Sequence, residues 1–360
     1  MTHPVKVGII GVGGVATLHY PGFVAAEAEI KAIADLDAQA LARRQRAWDV
    51  PDVYEDYRKL LEDPEIEAVT ICLPNAFHHE ATLAAARAGK HVYCEKPISL
   101  SLTQAQEMID VCREEGVVLQ VGHHLRSLGA AEKVKAMIAS GELGELTYLR
   151  LRQAHDWAGA QSVRKSFGTF ASAGGGTLLD NGVHMLDLAR YFAGDVREVY
   201  ARIATRKFAI EVEDTAVVNL TFESGAFGTV ESAWTATGWE ESFTVYGTKG
   251  AVEYTNRPEP IMHHRFRASP GTTWGEPDVA VYRFAGLQTH ARAIVEFLQA
   301  VRGEGDVPCT GEDGLEAVRL VLAAYESTRH NRPLPLSELS SDSALPPRRS
   351  SPPDPAVPGS

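Results

Sequence analysis

Residues 5 to 16 read VKVGIIGVGGVA, and that run leaves the polypeptide few ways to fold. A short apolar strand ends at Gly11, and Gly11-Val12-Gly13-Gly14-Val15-Ala16 then fits G-x-G-x-x-A ahead of a helix. Each small residue has a geometric reason. Gly11 permits the tight turn, Gly13 lets backbone approach a pyrophosphate, and Ala16 allows helix and strand to pack closely. Gly14 and Val15 open the helix, whose free N–H groups favour an anion. Asp35 ends the second strand 19 residues beyond Ala16, where an acidic side chain takes the ribose hydroxyls of NAD. The same carboxylate repels a 2′-phosphate, and Leu36 and Asp37 bring no Arg or Ser to hold one. NAD is therefore expected in preference to NADP.

Strands and helices alternate from residue 4 to about 122, which implies a doubly wound parallel sheet. In SLTQAQEMIDVCREEG, Leu102, Ala105, Met108 or Ile109, and Cys112 share one helix face, and Gly116 ends the helix. After about residue 125 the pattern changes to helices at 129–139 and 180–192 and long alternating strands. LTYLRLRQAH sets Leu149 and Leu151 against Arg150 and Arg152, and hairpins are expected to turn at Ser224-Gly225 and near Lys249-Gly250. The fold class expected is an α/β N-terminal Rossmann dinucleotide-binding domain plus an α+β C-terminal domain with a large, mostly antiparallel open sheet. Their spans are 1–124 and 125–337, followed by a disordered Ser/Pro-rich tail at 338–360. Such a sheet must cover its second face, so a homodimer or homotetramer through it is expected.

With 360 residues the protein has room for two cores. A formal charge of -12 argues against a nucleic-acid partner, because phosphate binding needs a basic face. No apolar run reaches the length of a membrane span, and the N-terminus lacks the features of a signal peptide. Cys72, Cys94, Cys112 and Cys309 make no close pairs, so neither a zinc knuckle nor a disulfide framework is suggested. A reduced cytoplasmic setting is expected.

Chemistry concentrates in three places. CLPNAFHHE carries Asn75 and His78 at one strand end, and CEKPIS carries Glu95 and Lys96 at the next. Ligands lie at the carboxyl ends of parallel strands. GGGTLLDNGVHMLDL, residues 174–188, follows three glycines with Asp180, His184 and Asp187 at helical spacing. At about 100° per residue these three and Tyr191 form one stripe, opposite Met185, Ala189 and Phe192. The stretch reads as a metal site, a helix cap at Asp180, or a proton-handling site. The metal reading lacks a third ligand at fixed spacing. Capping accounts for neither His184 nor glycines that admit a ligand.

Taken together and in order, the glycine turn, Asp35, PNAFHHE, EKP and D-x-G-x-H-x-x-D resemble the glucose–fructose oxidoreductase / inositol dehydrogenase (Gfo/Idh/MocA) family, to about residue 337. The resemblance implies an NAD(P)-dependent dehydrogenase acting on secondary hydroxyls of sugars, inositols or related polyols. It makes Lys96, Asp180 and His184 the catalytic set, with His184 as general base, and it implies no metal. It places Leu73, Asn75, His78, Glu95 and Lys96 around the cofactor, and Arg126 and Arg164 at basic positions near cofactor or substrate. His123 and His124 depart from the more usual Phe-Asn at their position and receive only a lining role. His19, His79 and His290 are read as structural. Substrate contacts are expected from Lys96, Asp180 and His184, and from His155, Asp156 and Trp157 in RQAHDWAG. Trp234 and Trp239 are weaker candidates. Two alternatives keep the fold: an NAD-dependent glycosidase working by oxidation and elimination, and a non-catalytic sugar-sensing regulator.

Overall fold

The computed structural model describes residues 4–156, 167–266 and 277–345. Two compact units make up the fold, Met1–Glu132 with Ala285–Val318 and Lys133–Phe284 with Arg319–Ser360.

In the first unit, β1 (Lys6–Ile10), β2 (Glu29–Ala34), β3 (Asp52–Tyr54), β4 (Ala68–Ile71), β5 (His91–Cys94) and β6 (Leu119–Val121) form a parallel sheet in the order β3-β2-β1-β4-β5-β6. The order reverses between β1 and β4, the topological switch point where ligands bind in such sheets. Strands β1, β4 and β5 are almost wholly buried, as continuous apolar runs covered on both faces must be. Between them run α1 (Gly14–Ala25), α2 (Ala38–Trp48), α3 (Tyr57–Leu61), α4 (His78–Arg87) and α5 (Leu102–Glu114). The Asp37 carboxylate caps α2 by accepting from the N–H groups of Gln39 and Ala40. Helix α6 (Gly129–Ala139) leads out of this unit.

Beyond the region up to residue 124, the unit also takes in Ala285–Val318. Helix α7 (Thr289–Val301) returns to it and buries Ile294, Phe297 and Leu298 in one core with Ile9, Phe23 and Tyr93. Gly22 makes the approach to α1 possible, since a Cβ there would stand 2.3 Å from the Ala291 carbonyl oxygen. Short β3 is an element that the sequence pattern did not announce, and the strand bearing Asn75 at its end is the fourth of the sheet in sequence order.

The second unit is built on nine strands in the order β14-β13-β12-β11-β7-β10-β9-β8-β15. They are β7 (Leu146–Ala154), β8 (Val196–Ala204), β9 (Thr215–Phe222), β10 (Phe227–Ala233), β11 (Glu240–Gly247), β12 (Gly250–Thr255), β13 (Ile261–Phe266), β14 (Asp278–Arg283) and β15 (Leu334–Pro335). Among the described residues of this unit, the β7–β10 pair alone is parallel. Leu149 and Leu151 are fully buried, whereas Arg150 and Arg152 meet Glu231 on the other face, as alternation requires. The β9–β10 hairpin turns at Ser224-Gly225, with Gly225 at φ +88°. Helix α8 (Val183–Ala193) lies against β7, and α9 (Gly311–His330) runs from the first unit into the second. Of the expected tail, residues 346–360 lie outside the described residues.

Register sets Ser232, Gln153 and Glu241 side by side on β10, β7 and β11, all on the buried face. Gln153 Nε2 donates to Glu241 Oε2 at 3.1 Å. Burial pushes the Glu241 carboxyl up from 4.5 to about 7, against the pull of that hydrogen bond. A carboxyl with a raised folded pKa contributes fully below its unfolded value and loses that contribution as pH rises through 7. Glu241→Gln, which cannot ionise, is therefore expected to gain on the wild type by on the order of 3 kcal/mol between pH 4.5 and pH 8. Urea denaturation at the two pH values reads the change, and an equal difference at both would remove the argument.

Candidate active site

The loops at the carboxyl ends of β1, β2, β4 and β5 carry the dinucleotide features. Gly11 sits at φ +88°, and a Cβ there would fall 2.6 Å from the Cys72 carbonyl oxygen, so no other residue fits without displacing backbone. Gly13 and Gly14 are different. They are exposed, nothing lies within 4 Å of a Cβ at either, and α1 begins at Gly14. Val15 is partly exposed beside them. Asp35 Oδ2 accepts from the Val12 N–H at 2.8 Å and Oδ1 from the Asp37 N–H at 2.9 Å. The carboxylate thus braces the turn while remaining partly exposed. An open glycine cradle at a helix N-terminus, next to a fixed acid, fits a dinucleotide.

His78 and Glu95, expected around the cofactor, are both buried and bonded within the protein. His78 is fully buried; its Nδ1 meets the Pro97 carbonyl at 2.7 Å and its Nε2 the Leu73 carbonyl at 2.9 Å. Burial lowers its pKa, although both carbonyls pull the other way. The ring ties the Leu73–Asn75 loop to the Lys96–Pro97 loop from behind. Glu95 is buried against fully buried His19, Oε1 to Nε2 at 2.8 Å, and Cys72 Sγ stands 3.4 Å from His19 Nδ1. Burial alone would raise the Glu95 pKa, but the hydrogen bond and charge of His19, with His290 and Lys96 behind it, bring it to about 2. Glu95 Oε2 in turn accepts from the Lys96 N–H at 3.2 Å. Asn75 and Lys96 keep partly exposed side chains at these strand ends.

Arg126 is also turned inward: its guanidinium donates to the Pro308 carbonyl at 3.0 Å and pairs with Asp313 at 2.8 Å. His124 stacks on His290 with ring centroids 3.6 Å apart, and both are held neutral by burial, His290 with its pKa lowered to about 4. His123 is likewise buried. His79 bonds Glu107 on the surface, so the structural reading of His19, His79 and His290 matches their surroundings.

In the second unit the three glycines prove to serve packing within the protein. Gly174 is left-handed at φ +78°, a Gly175 Cβ would stand 2.5 Å from the Tyr325 hydroxyl, and a Gly176 Cβ would stand 1.8 Å from the Glu213 carbonyl oxygen. The Glu213 carboxylate accepts from the N–H groups of Gly176 and Leu178, each at 3.0 Å, and from Tyr325 Oη at 2.9 Å. The backbone then makes a π-turn, Leu178–Gly182, before α8. Asp180 lies inside that turn, its N–H already given to the Gly176 carbonyl, so it is no cap. Its Oδ2 accepts from Trp234 Nε1 at 3.3 Å. The π-turn adds a residue ahead of α8 and breaks the single 100° stripe, and Val183–Ala189 are buried on every side. His184 and Asp187 are buried in this stretch, whereas Asp180 stays partly exposed.

His155 is only 3% exposed; its Nε2 lies 2.9 Å from the Asn181 amide, and Trp239 stacks flat upon its ring. Asp156 pairs with Lys207. Trp157 and Arg164 lie outside the described residues. Among the described residues, no three His, Cys, Asp or Glu side chains gather as metal ligands, and no helix is long and apolar enough to cross a membrane.

A six-stranded parallel sheet with an open glycine turn and an acid just after β2 is the architecture of a nicotinamide-dinucleotide oxidoreductase domain. Residues 5–123 match the oxidoreductase-family NAD-binding Rossmann fold, and residues 131–253 match the GFO/IDH/MocA C-terminal domain. The protein is 32% identical over 342 residues to the uncharacterized oxidoreductase YrbE of Bacillus subtilis, spanning 93% of this sequence and 97% of that one. It is 29% identical to the myo-inositol 2-dehydrogenase of Thermotoga maritima, over 93% of this sequence and 99% of that one. A levoglucosan dehydrogenase structure with NADH and levoglucosan shares the fold at a TM-score of 0.85 and 24% identity, covering 93% of this sequence and 100% of its own. The protein belongs to the Gfo/Idh/MocA family of oxidoreductases.

The contrast between the turn glycines is testable on the fold alone. Gly11→Ala is expected to cost at least about 2 kcal/mol, from a strained φ and a backbone clash, whereas Gly13→Ala leaves the melting temperature unchanged. Equal losses in thermal melts of the two variants would refute the difference in their surroundings.

Proposed function

We propose that this protein is an NAD-dependent dehydrogenase that oxidises a secondary hydroxyl of a sugar, inositol or related polyol, reversibly. The observation that carries the reading is Lys96, a partly exposed cation at the carboxyl end of β5 whose own N–H is held by buried Glu95. Taking hydride from a secondary alcohol needs a base for the hydroxyl proton and a positive group for the developing alkoxide. His184 is the base, Lys96 donates a hydrogen bond to the reacting oxygen, and Asp180 orients it. In the reverse direction His184, as imidazolium, returns the proton. Bound nicotinamide supplies the hydride acceptor. Gly11, Gly13, Gly14, Val15 and Asp35 hold the dinucleotide, with Leu73 and Asn75 toward its nicotinamide end; His78, Glu95 and Arg126 support these loops from inside.

The likeness to a myo-inositol dehydrogenase supports the substrate class. Tyr148, Val217, Phe227 and Tyr246 stand exposed on the outer face of the nine-stranded sheet, which supports a homodimer or homotetramer through it. Four free cysteines suit a cytoplasmic setting.

A panel of sugars and polyols with NAD is expected to give NADH, with kcat reduced by about 100-fold or more in Lys96→Ala and in His184→Ala. Activity surviving both substitutions would overturn the mechanism. Release of aglycone from an aryl glycoside without net NADH would favour the glycosidase reading instead. Asp35→Ala should cut the preference for NAD over NADP by roughly tenfold or more. Gly13→Ala should weaken NAD binding measured by calorimetry while the fold persists.

A further inference from the structure

We propose that Trp239 is a stacking platform for the ring of a cyclic sugar or polyol, and that through it the protein selects flat rings over acyclic molecules. The proposal rests on the dehydrogenase reading above. An indole half exposed to solvent is usually an incidental feature of a loop; this one lies against a buried ring, and the main chain that carries it is tied down. The loop joining β10 to β11 begins at Trp234, whose Nε1 donates to Asp180, and ends at Trp239. The Trp239 ring lies on His155 with centroids 4.7 Å apart and planes 4° from parallel. His155 is itself fixed by the amide of Asn181, the neighbour of Asp180 in the π-turn.

From the other side, the Arg257 guanidinium donates to the Thr237 carbonyl at 3.0 Å and to the Trp239 carbonyl. Gly238 between them is left-handed at φ +73°, and a Cβ there would stand 2.9 Å from Arg257 Nη2. One indole face is thus backed by His155 and its main chain is braced by Arg257, which lowers the ordering cost to a ligand stacking on the open face. An aromatic face is negative and apolar, so it attracts the positive C–H edges of a ring. A pyranose or inositol presents such a face, with its hydroxyls at the ring edge. An acyclic polyol has no flat face. The substrate contact assigned to His155 from sequence passes on this view to the residue that covers it.

Two measurements test the platform. In the holoenzyme, Trp239→Ala is expected to raise KM for myo-inositol or methyl β-D-glucopyranoside roughly five- to tenfold, with kcat within about twofold. KM for the acyclic polyol D-glucitol should not move, and Trp239→Phe, which keeps a face, should retain most of the affinity for rings. Independently of turnover and of any variant, mild indole oxidation read by peptide mass spectrometry should show Trp239 protected by the ring compounds but not by D-glucitol. If no panel member yields NADH, the dehydrogenase reading fails, and the footprint still decides the platform. Absence of protection by every ring compound overturns the proposal, as does protection by tetramethylammonium alone, which would mark a cation site. A changed oligomer mass in Trp239→Ala with unchanged KM also overturns it, making Trp239 an interface residue.

Discussion

The first unit depends on one buried pair, His19 against Glu95. His19 belongs to α1, the helix that opens at the glycine turn, and Glu95 precedes Lys96 at the end of β5. The pair therefore joins the cradle for a dinucleotide to the loop that carries the proposed catalytic cation. A buried carboxylate without its partner costs several kcal/mol, so the arrangement tolerates little drift. Gly122 adds to this from the neighbouring strand end, since a Cβ there would touch the Glu95 carboxyl at 3.0 Å. His78 fastens the Lys96–Pro97 loop to the Leu73 loop in the same way, through main-chain carbonyls.

The second unit solves its own positioning problem with another buried carboxylate. Glu213 gathers the N–H groups of Gly176 and Leu178 and the Tyr325 hydroxyl, and so fixes the backbone as it enters the π-turn. Burial raises its pKa, while these donors oppose the shift. Asp214 next to it accepts from the N–H groups of Arg206, Lys207 and Phe208 and closes the loop before β9. Asp180 and Asn181 are then set against Trp234 and His155, which fixes what stands over the sheet at this end.

Residues whose job is local were legible in the sequence. Gly11 and Asp35 announced themselves because a tight turn and a strand-end acid each restrict residue type at a known spacing. Leu149 and Leu151 did so through strict alternation. The roles of His78, Glu95, Arg126 and His155 were not legible, because whether a polar side chain faces a ligand or a neighbouring carbonyl depends on partners 5 to 187 positions away. Trp239 was underrated for the same reason: nothing near it in sequence says that Arg257 and His155 hold it.

Periodicity and composition along the sequence determined the two kinds of sheet, the nucleotide turn and the strands that carry Asn75 and Lys96, since each follows from steric and hydrophobic patterns a few residues long. Tertiary packing alone decided that α7 returns to the first core, that Gly175 and Gly176 make room for Tyr325 and Glu213, and that a π-turn precedes His184. Those outcomes are contests for space between distant segments, and a segment carries no record of the surface it will meet.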